Sequence, residues 1–165
     1  MENAMNDWTL FYEKIDAIKF AMLVTHDAEG LMEARPFTTQ AAGRDGAVWF
    51  FTTTDSEAVA DIRQNPTVLL CYADSSAHRF ISSSGTASLT QDHALMDELW
   101  KPAFTLFFPL GLDDPALTLL RVDIVKADVW DSGKSKMEQM LTIAKVAVGI
   151  DIDKEDLGKH TVLKK

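Results

Sequence analysis

The sequence predicts a mainly β fold of the α+β class, a closed or split antiparallel β-barrel with short flanking helices. Six or seven strand-length segments follow one another with only turns or short helices between them, unlike a doubly wound sheet. The chain also lacks a G-x-G-x-x-G loop. With 165 residues, 47% of them hydrophobic, it can bury one core. We therefore expect one domain over residues 1–150 and a polar, mobile tail over 151–165.

Composition excludes several functional classes. The net charge of −9 opposes binding to a phosphodiester backbone, so we expect no nucleic-acid partner. We find neither a run of ~20 apolar residues nor a signal-peptide pattern, and expect a cytoplasmic protein without a membrane partner. The single cysteine, Cys71, is expected to be buried and unreactive. Four histidines without zinc-ligand spacing predict surface roles and no metal site: His26, His78, His93 and His160.

The first third of the chain predicts a helix and two hairpins. Apolar residues at helical spacing indicate a helix over about 7–19, with Asp7 as its N-cap, which would cover an open end of the barrel. Turn residues around Gly30 and Gly46 then separate segments of strand length. The four predicted strands are 20–25, 31–35, 37–40 and 48–53.

The remainder alternates short helices with longer strands. Asp55 or Ser56 can cap a short helix that ends before Pro66, and Asp92 can cap another. Gly85 predicts a bend or bulge that helps the sheet curl. The further strands are expected over 67–73, 79–90 and 117–130, and a last helix is expected over about 137–148.

Arg35 and Ser56 are the first candidates for a binding site. Arg35 precedes Pro36 at a predicted strand end, where an arginine either keeps an edge strand soluble or binds an anion. The free N–H groups of the helix that begins near Ser56 form an anion site that a guanidinium could complete. Ser56 is equally well explained as an ordinary N-cap, and the sequence leaves both alternatives open.

A set of short motifs, in order, resembles the flavin-binding split barrels related to pyridoxamine 5'-phosphate oxidase, most closely their general stress protein 26 branch. The resemblance covers about residues 7–131. The motifs are Ala34-Arg35-Pro36-Phe37, Val48-Trp49-Phe50-Phe51-Thr52-Thr53, Ser56 with Val59, Asn65-Pro66, Gly85-Thr86-Ala87, Leu99-Trp100-Lys101-Pro102, Phe108-Pro109-Leu110-Gly111, Asp114-Pro115 and Val129-Trp130-Asp131.

The resemblance implies a cofactor, a site and an assembly. The cofactor would be FMN, with FAD as the alternative, and it would lie between the two subunits of a homodimer. Arg35 would bind the flavin phosphate, Ser56 would cap it, and Trp130 would approach from the partner subunit. The isoalloxazine ring would be bordered by the backbones of Pro36, Phe37, Thr38, Phe51, Thr52 and Thr53.

Two departures from the family pattern limit these implications. The family usually has a lysine two residues after the serine that matches Ser56, and this chain has Ala58 there, preceded by Glu57. True pyridoxamine phosphate oxidases carry a basic Arg-Leu-His-Asp-Arg motif soon after the residue matching Trp130, and this chain reads Asp-Ser-Gly-Lys-Ser-Lys over 131–136. We therefore expect that it is not a true pyridoxamine phosphate oxidase.

Three functions are compatible with these residues. The first is a flavin-dependent oxidoreductase of unknown small-molecule substrate, in which the flavin supplies the chemistry. The second is a flavin-binding stress or storage protein without turnover. The third is a barrel that has exchanged flavin for haem or a deazaflavin, or has lost its cofactor. Four aromatic residues could either roof the flavin or belong to the core: Trp100, Phe104, Phe107 and Phe108.

Overall fold

The computed structural model describes residues 2–133, 136–149 and 158–165. Within these ranges no helix is both long and apolar enough to cross a membrane. The four α-helices are α1 (Glu2–Ile18), α2 (Glu57–Gln64), α3 (His93–Leu99) and α4 (Lys136–Ala147), with 3-10 turns at Arg44–Gly46, Pro102–Leu106 and Gly111–Asp113. The strands are β1 (Phe20–His26), β2 (Met32–Thr38), β3 (Ala41–Ala42), β4 (Ala47–Thr53), β5 (Thr67–Asp74), β6 (Arg79–Thr90), β7 (Leu117–Asp131) and β8 (Lys159–Lys164).

The strands form one curled antiparallel sheet. Their order is β2-β1-β5-β6-β7-β4-β3, with β8 paired to β7 off this path. The strands at the two ends of this order, β2 and β3, are consecutive in the chain and separated by two residues, which brings the edges of the sheet together. This arrangement confirms the predicted split barrel with short flanking helices.

Alternation along the strands fills the barrel. In β1, Ala21 and Leu23 are buried while Phe20 and Met22 face outward. Helix α1 adds Phe11 and Ile15, both almost fully buried, to the hydrophobic cluster inside the barrel, which also contains Ala21 and Leu23. A second hydrophobic cluster lies on the outer face of β4, beneath α3 and the aromatic loop 100–112. Because both faces of β4 are covered, all of its residues except the last are buried.

The predicted helix caps at Ser56 and Asp92 and the predicted bulge at Gly85 are confirmed. The Ser56 hydroxyl accepts a hydrogen bond from the Val59 amide at 3.3 Å, and Asp92 caps α3 through two amides. The register of β6 and β7 shifts between Ser84 and Gly85. A Cβ atom at Gly85 would lie 2.5 Å from the Asp123 carbonyl oxygen, so only glycine allows this close strand approach.

Two predicted boundaries are wrong. Helix α1 begins at Glu2, so Asp7 lies inside it and is not an N-cap; the preceding residues contain no helix breaker. Segments 31–35 and 37–40 are not separate strands, since β2 runs through Pro36 as far as Thr38. Proline is tolerated there because β2 is an edge strand of the pairing order and pairs only with β1.

Two further expectations need correction. The predicted tail contains β8, which pairs with the outer part of β7 from Lys126 to Asp131; its residues 151–157 lie outside the described residues. Cys71 is half-buried rather than fully buried. Burial raises the pKa of its thiol, which lowers its nucleophilicity at neutral pH.

Candidate functional site

A cleft of about 490 Å³ opens where β2 and β4 are not paired with each other. Strand β3 pairs with β4 only at Val48 and Trp49, and in the described residues no strand pairs with that edge of β4 beyond them. The cleft is therefore the opening in the split barrel, between the unpaired edges of β2 and β4. Its lining residues are Phe20, Pro36, Phe37, Thr38, Gln40, Phe51, Thr52, Thr53, Ala103, Phe104, Leu106, Phe107 and Phe108.

The structure brings six predicted ring-binding residues together at this cleft. Residues 36–38 line it from β2, and residues 51–53 line it from β4. They come from segments thirteen or more positions apart in sequence, which the closure of the sheet makes neighbours. Their roles toward a flavin stay a prediction.

The aromatic loop 100–112 forms one wall of the cleft. The ring of Phe51 packs against those of Trp100, Phe104 and Phe108, with centroid distances of 5.4, 5.7 and 6.3 Å. Trp100 supports the wall from behind and does not line the cleft, whereas Phe104 and Phe108 belong to both wall and core. Phe107 lines the mouth and is 75% exposed.

The described lining of the cleft carries no ionisable side chain. Its polar side chains are those of Thr38, Gln40, Thr52 and Thr53, and the Gln40 amide donates to the Thr38 carbonyl oxygen at 2.9 Å. Such a surface can hold a planar apolar ring and offer it a few hydrogen bonds. It supplies no general acid or base of its own.

Ser56 and Arg35 lie near opposite walls of the cleft and meet helix α2. The Ser56 hydroxyl is 3.1 Å from that of Thr52, so the N-terminus of α2 adjoins the lining. Arg35 precedes Pro36 on β2, and its guanidinium forms ion pairs with Asp61 and Glu57 of α2 and with Glu33. The residues that line the cleft therefore fit an apolar ring system. The Arg35 guanidinium, which would bind a phosphate, is already paired with carboxylates of the chain itself.

Trp130 is not brought to the cleft of its own chain. It lies on the outer face of the sheet, 42% exposed, and stacks on His160 with a centroid distance of 4.7 Å. A second cavity of about 460 Å³ lies there, lined by Phe20, Met22, Cys71, Tyr72, Ala73, Phe80, Ile81, Ser82 and Trp130. Phe20 lines both cavities, so the outer face begins at the mouth of the cleft.

Sequence reasoning missed several residues of the site. Phe20, Gln40, Ala103 and Leu106 line the cleft without belonging to a motif. Asp61 carried a usable signal, because it follows Ala58 at helical spacing on the buried side of α2, where an unpaired carboxylate would be costly. The partner of Asp61 could not be found from spacing alone.

The histidines occupy different environments. His78, His93 and His160 are exposed, as predicted, whereas His26 is half-buried and its Nδ1 atom has no hydrogen-bond partner. In the part of the chain that the structure describes, no group of three or more His, Cys, Asp or Glu residues is placed to hold a metal ion.

Comparison with known proteins identifies the relatives of this chain. A general stress FMN/FAD binding protein from Xanthomonas citri is 30% identical, with a TM-score of 0.66 over 79% of this chain and 92% of that one. A general stress protein 26 from Jannaschia sp. shares the fold over the full length of both chains, with a TM-score of 0.79 at 18% identity. Protein bli-3 of Neurospora crassa is 25% identical over 154 residues, which cover 87% of this chain and 72% of that protein.

The family assignment rests on a match that spans most of the chain. The sequence profile described as "Pyridoxamine 5'-phosphate oxidase like" matches residues 6–153. This range includes α1 from residue 6 onward, the strands β1 to β7 and both walls of the cleft. The motif order, the split barrel and the profile agree, and the chain belongs to the pyridoxamine 5'-phosphate oxidase like family, among its general stress proteins.

Proposed function

We propose that this chain is a cytoplasmic flavin-binding protein that holds the isoalloxazine ring of FMN, or of FAD, in the cleft between β2 and β4. The observation that carries the proposal is the apolar, aromatic-walled cleft lined by residues 36–38 and 51–53. Its volume of about 490 Å³ lies within the usual range of ligand sites. A related protein is named for FMN/FAD binding, which supports the same ligand class.

A homodimer is the second part of the proposal. The outer face of the sheet exposes a contiguous set of large apolar side chains, an arrangement typical of an interaction surface: Phe20, Met22, Phe80 and Trp130. The register places Phe80 opposite Trp130 on the neighbouring strand. A second copy on this face would reach the cleft mouth through Phe20, and would place its own Trp130 near that mouth under two-fold symmetry. Sedimentation analysis should give twice the mass of one chain; a monomer at micromolar concentration would contradict this.

We propose that this chain is a flavin-dependent oxidoreductase that turns over an unknown small-molecule substrate. A bound flavin supplies the hydride-accepting group, so the protein needs to contribute only orientation, exclusion of water and electrostatics. The absence of ionisable side chains from the described cleft lining is equally compatible with a non-catalytic flavin-binding protein. Anaerobic reduction by NADH or NADPH separates the two, because an enzyme should reduce its flavin faster than free flavin is reduced.

The visible spectrum of the purified protein tests the ligand class. Oxidised flavin bands, or quenching of flavin fluorescence on titration with FMN, FAD and riboflavin, are expected. A Soret band would indicate haem instead. A colourless protein that quenches none of the three flavins would overturn the proposal.

Phe107 allows a test of the ring site by substitution. Phe107→Ala removes an exposed ring from the cleft mouth and should weaken flavin affinity by about fivefold, the value of one lost aromatic contact. Leu110→Ala is the matched control, because Leu110 is 67% exposed in the same loop but does not line the cleft. Equal effects of the two substitutions on the fluorescence titration would show that the ring binds elsewhere.

A further inference from the structure

The inner edge of the Arg35 guanidinium is fixed inside the protein. Its Nη1 atom donates to the Thr25 hydroxyl at 2.9 Å and to the Asp61 carboxylate at 3.1 Å. Thr25 and Asp61 are themselves buried, and the Thr25 hydroxyl donates to the same carboxylate oxygen at 2.7 Å. This edge of Arg35 is committed to the interior and cannot turn toward a ligand without breaking buried hydrogen bonds.

The outer edge of Arg35 is occupied by two further carboxylates. Its Nη2 atom pairs with Glu33 and lies 3.5 Å from the Glu57 carboxylate. The Glu33 side chain is 47% exposed and that of Glu57 is 86% exposed, so this is the edge that a ligand from solvent can reach. A ligand anion must therefore displace, or lie beside, the chain's own carboxylates.

Among the described residues, Glu33, Glu57 and Asp61 have no ion-pair partner other than Arg35. Glu57 stands in the first turn of α2, where it already complements the positive end of the helix. Ala58, at the family's usual lysine position, is 2% exposed. Arg63, in the last turn of α2, donates to the Thr54 carbonyl oxygen at 3.4 Å. One guanidinium among three carboxylates leaves this end of the cleft with surplus negative charge.

We infer that Glu33 and Glu57 act as internal competitors of a phosphate at Arg35, so that the flavin phosphate adds little to affinity and this chain does not discriminate FMN from riboflavin. It should bind riboflavin about as tightly as FMN, in contrast to a site where the phosphate anchors the cofactor. The inference rests on the proposed flavin binding, and it makes the apolar cleft, not the Arg35 end, the main source of affinity. Glu33 should matter more than Glu57, which is more exposed and more distant.

Paired titrations with riboflavin and FMN test this specificity. In the wild-type chain the two dissociation constants should agree within about threefold. Replacing both carboxylates, as Glu33→Gln with Glu57→Gln, should tighten FMN binding by about tenfold or more, the value of one charge-assisted hydrogen bond, and leave riboflavin unchanged. Glu98→Gln is the control, because Glu98 also pairs with an arginine, Arg44, but lies away from the cleft lining.

Ionic strength supplies a second test that needs no variant. Salt screens charge interactions, so it should strengthen wild-type FMN binding relative to riboflavin if the phosphate is repelled. Weakening of FMN binding by salt, FMN binding more than about threefold tighter than riboflavin, or unchanged FMN affinity in the double variant would each overturn the inference while the proposed function stands. Failure of both flavins to bind would overturn both proposals.

Discussion

Two ion clusters in this molecule have opposite charge balance. At Arg35 one guanidinium lies among three carboxylates, those of Glu33, Glu57 and Asp61. At Asp131 one carboxylate oxygen lies between two cations, 2.6 Å from Lys14 Nζ and 2.9 Å from Arg79 Nε. The second cluster joins α1, β6 and β7, and its excess charge is positive. The Asp131 cluster mainly links elements of the fold, whereas the Arg35 cluster also sets the charge beside the cleft.

The two clusters differ in where they meet solvent. The Asp131 side chain is 12% exposed, and both its partners are about one quarter exposed. In the Arg35 cluster only Asp61 and Thr25 are buried, while the two glutamates extend into solvent. We expect the buried members of both clusters to stabilise the fold, and the exposed glutamates to determine which ligand is bound.

Asp61→Ala should give the largest loss of stability of these substitutions. It leaves the Nη1 edge of Arg35 and the buried Thr25 hydroxyl without their shared acceptor, and should cost about 3 kcal/mol in the free energy of unfolding. Urea unfolding followed by circular dichroism measures the loss. Asp97→Ala, at an exposed position of α3, should leave the midpoint unchanged. A loss no greater than that of Asp97→Ala would show that Asp61 is not essential to the cluster.

The order of the elements could be predicted from the sequence, because strand alternation and turn residues are local signals. The caps at Ser56 and Asp92 and the bulge at Gly85 are local in the same sense. Strand β8 was not predicted, because a short polar segment becomes a strand only when a free edge, here that of β7, is available. Its pairing partner is more than thirty residues away along much of its length.

The candidate site was likewise predictable from the sequence only where its signals are local. The walls of the cleft could be predicted by resemblance, since the matching motifs contain them. The state of Arg35 could not, because Asp61 is 26 positions away and is brought to Arg35 by the packing of α2 against the barrel. The sequence showed the missing lysine at Ala58 and the acidic Glu57. Only the structure shows that the acids pair with the arginine itself.

Asp131→Asn should give a smaller, pH-dependent loss of stability. Burial alone would raise the pKa of Asp131, but hydrogen bonds from Lys14, the Gly133 amide and Arg79 lower it to about 2. Because this value is below that of an unfolded chain, the ionised group stabilises the native state at neutral pH. The substitution should cost about 1–2 kcal/mol there, less than the shift alone implies, since both cations are partly exposed.

The pH profile separates this electrostatic role from simple packing. The contribution of Asp131 is fully present above about pH 4, about half remains near pH 3, and it is lost as the pH falls toward 2. Unfolding curves of wild type and Asp131→Asn should therefore converge on acidification, whereas a packing defect would separate them equally at every pH. A constant difference would assign Asp131 a steric role. It would also remove the contrast between the Asp131 cluster and the Arg35 cluster, because charge would then explain only the second.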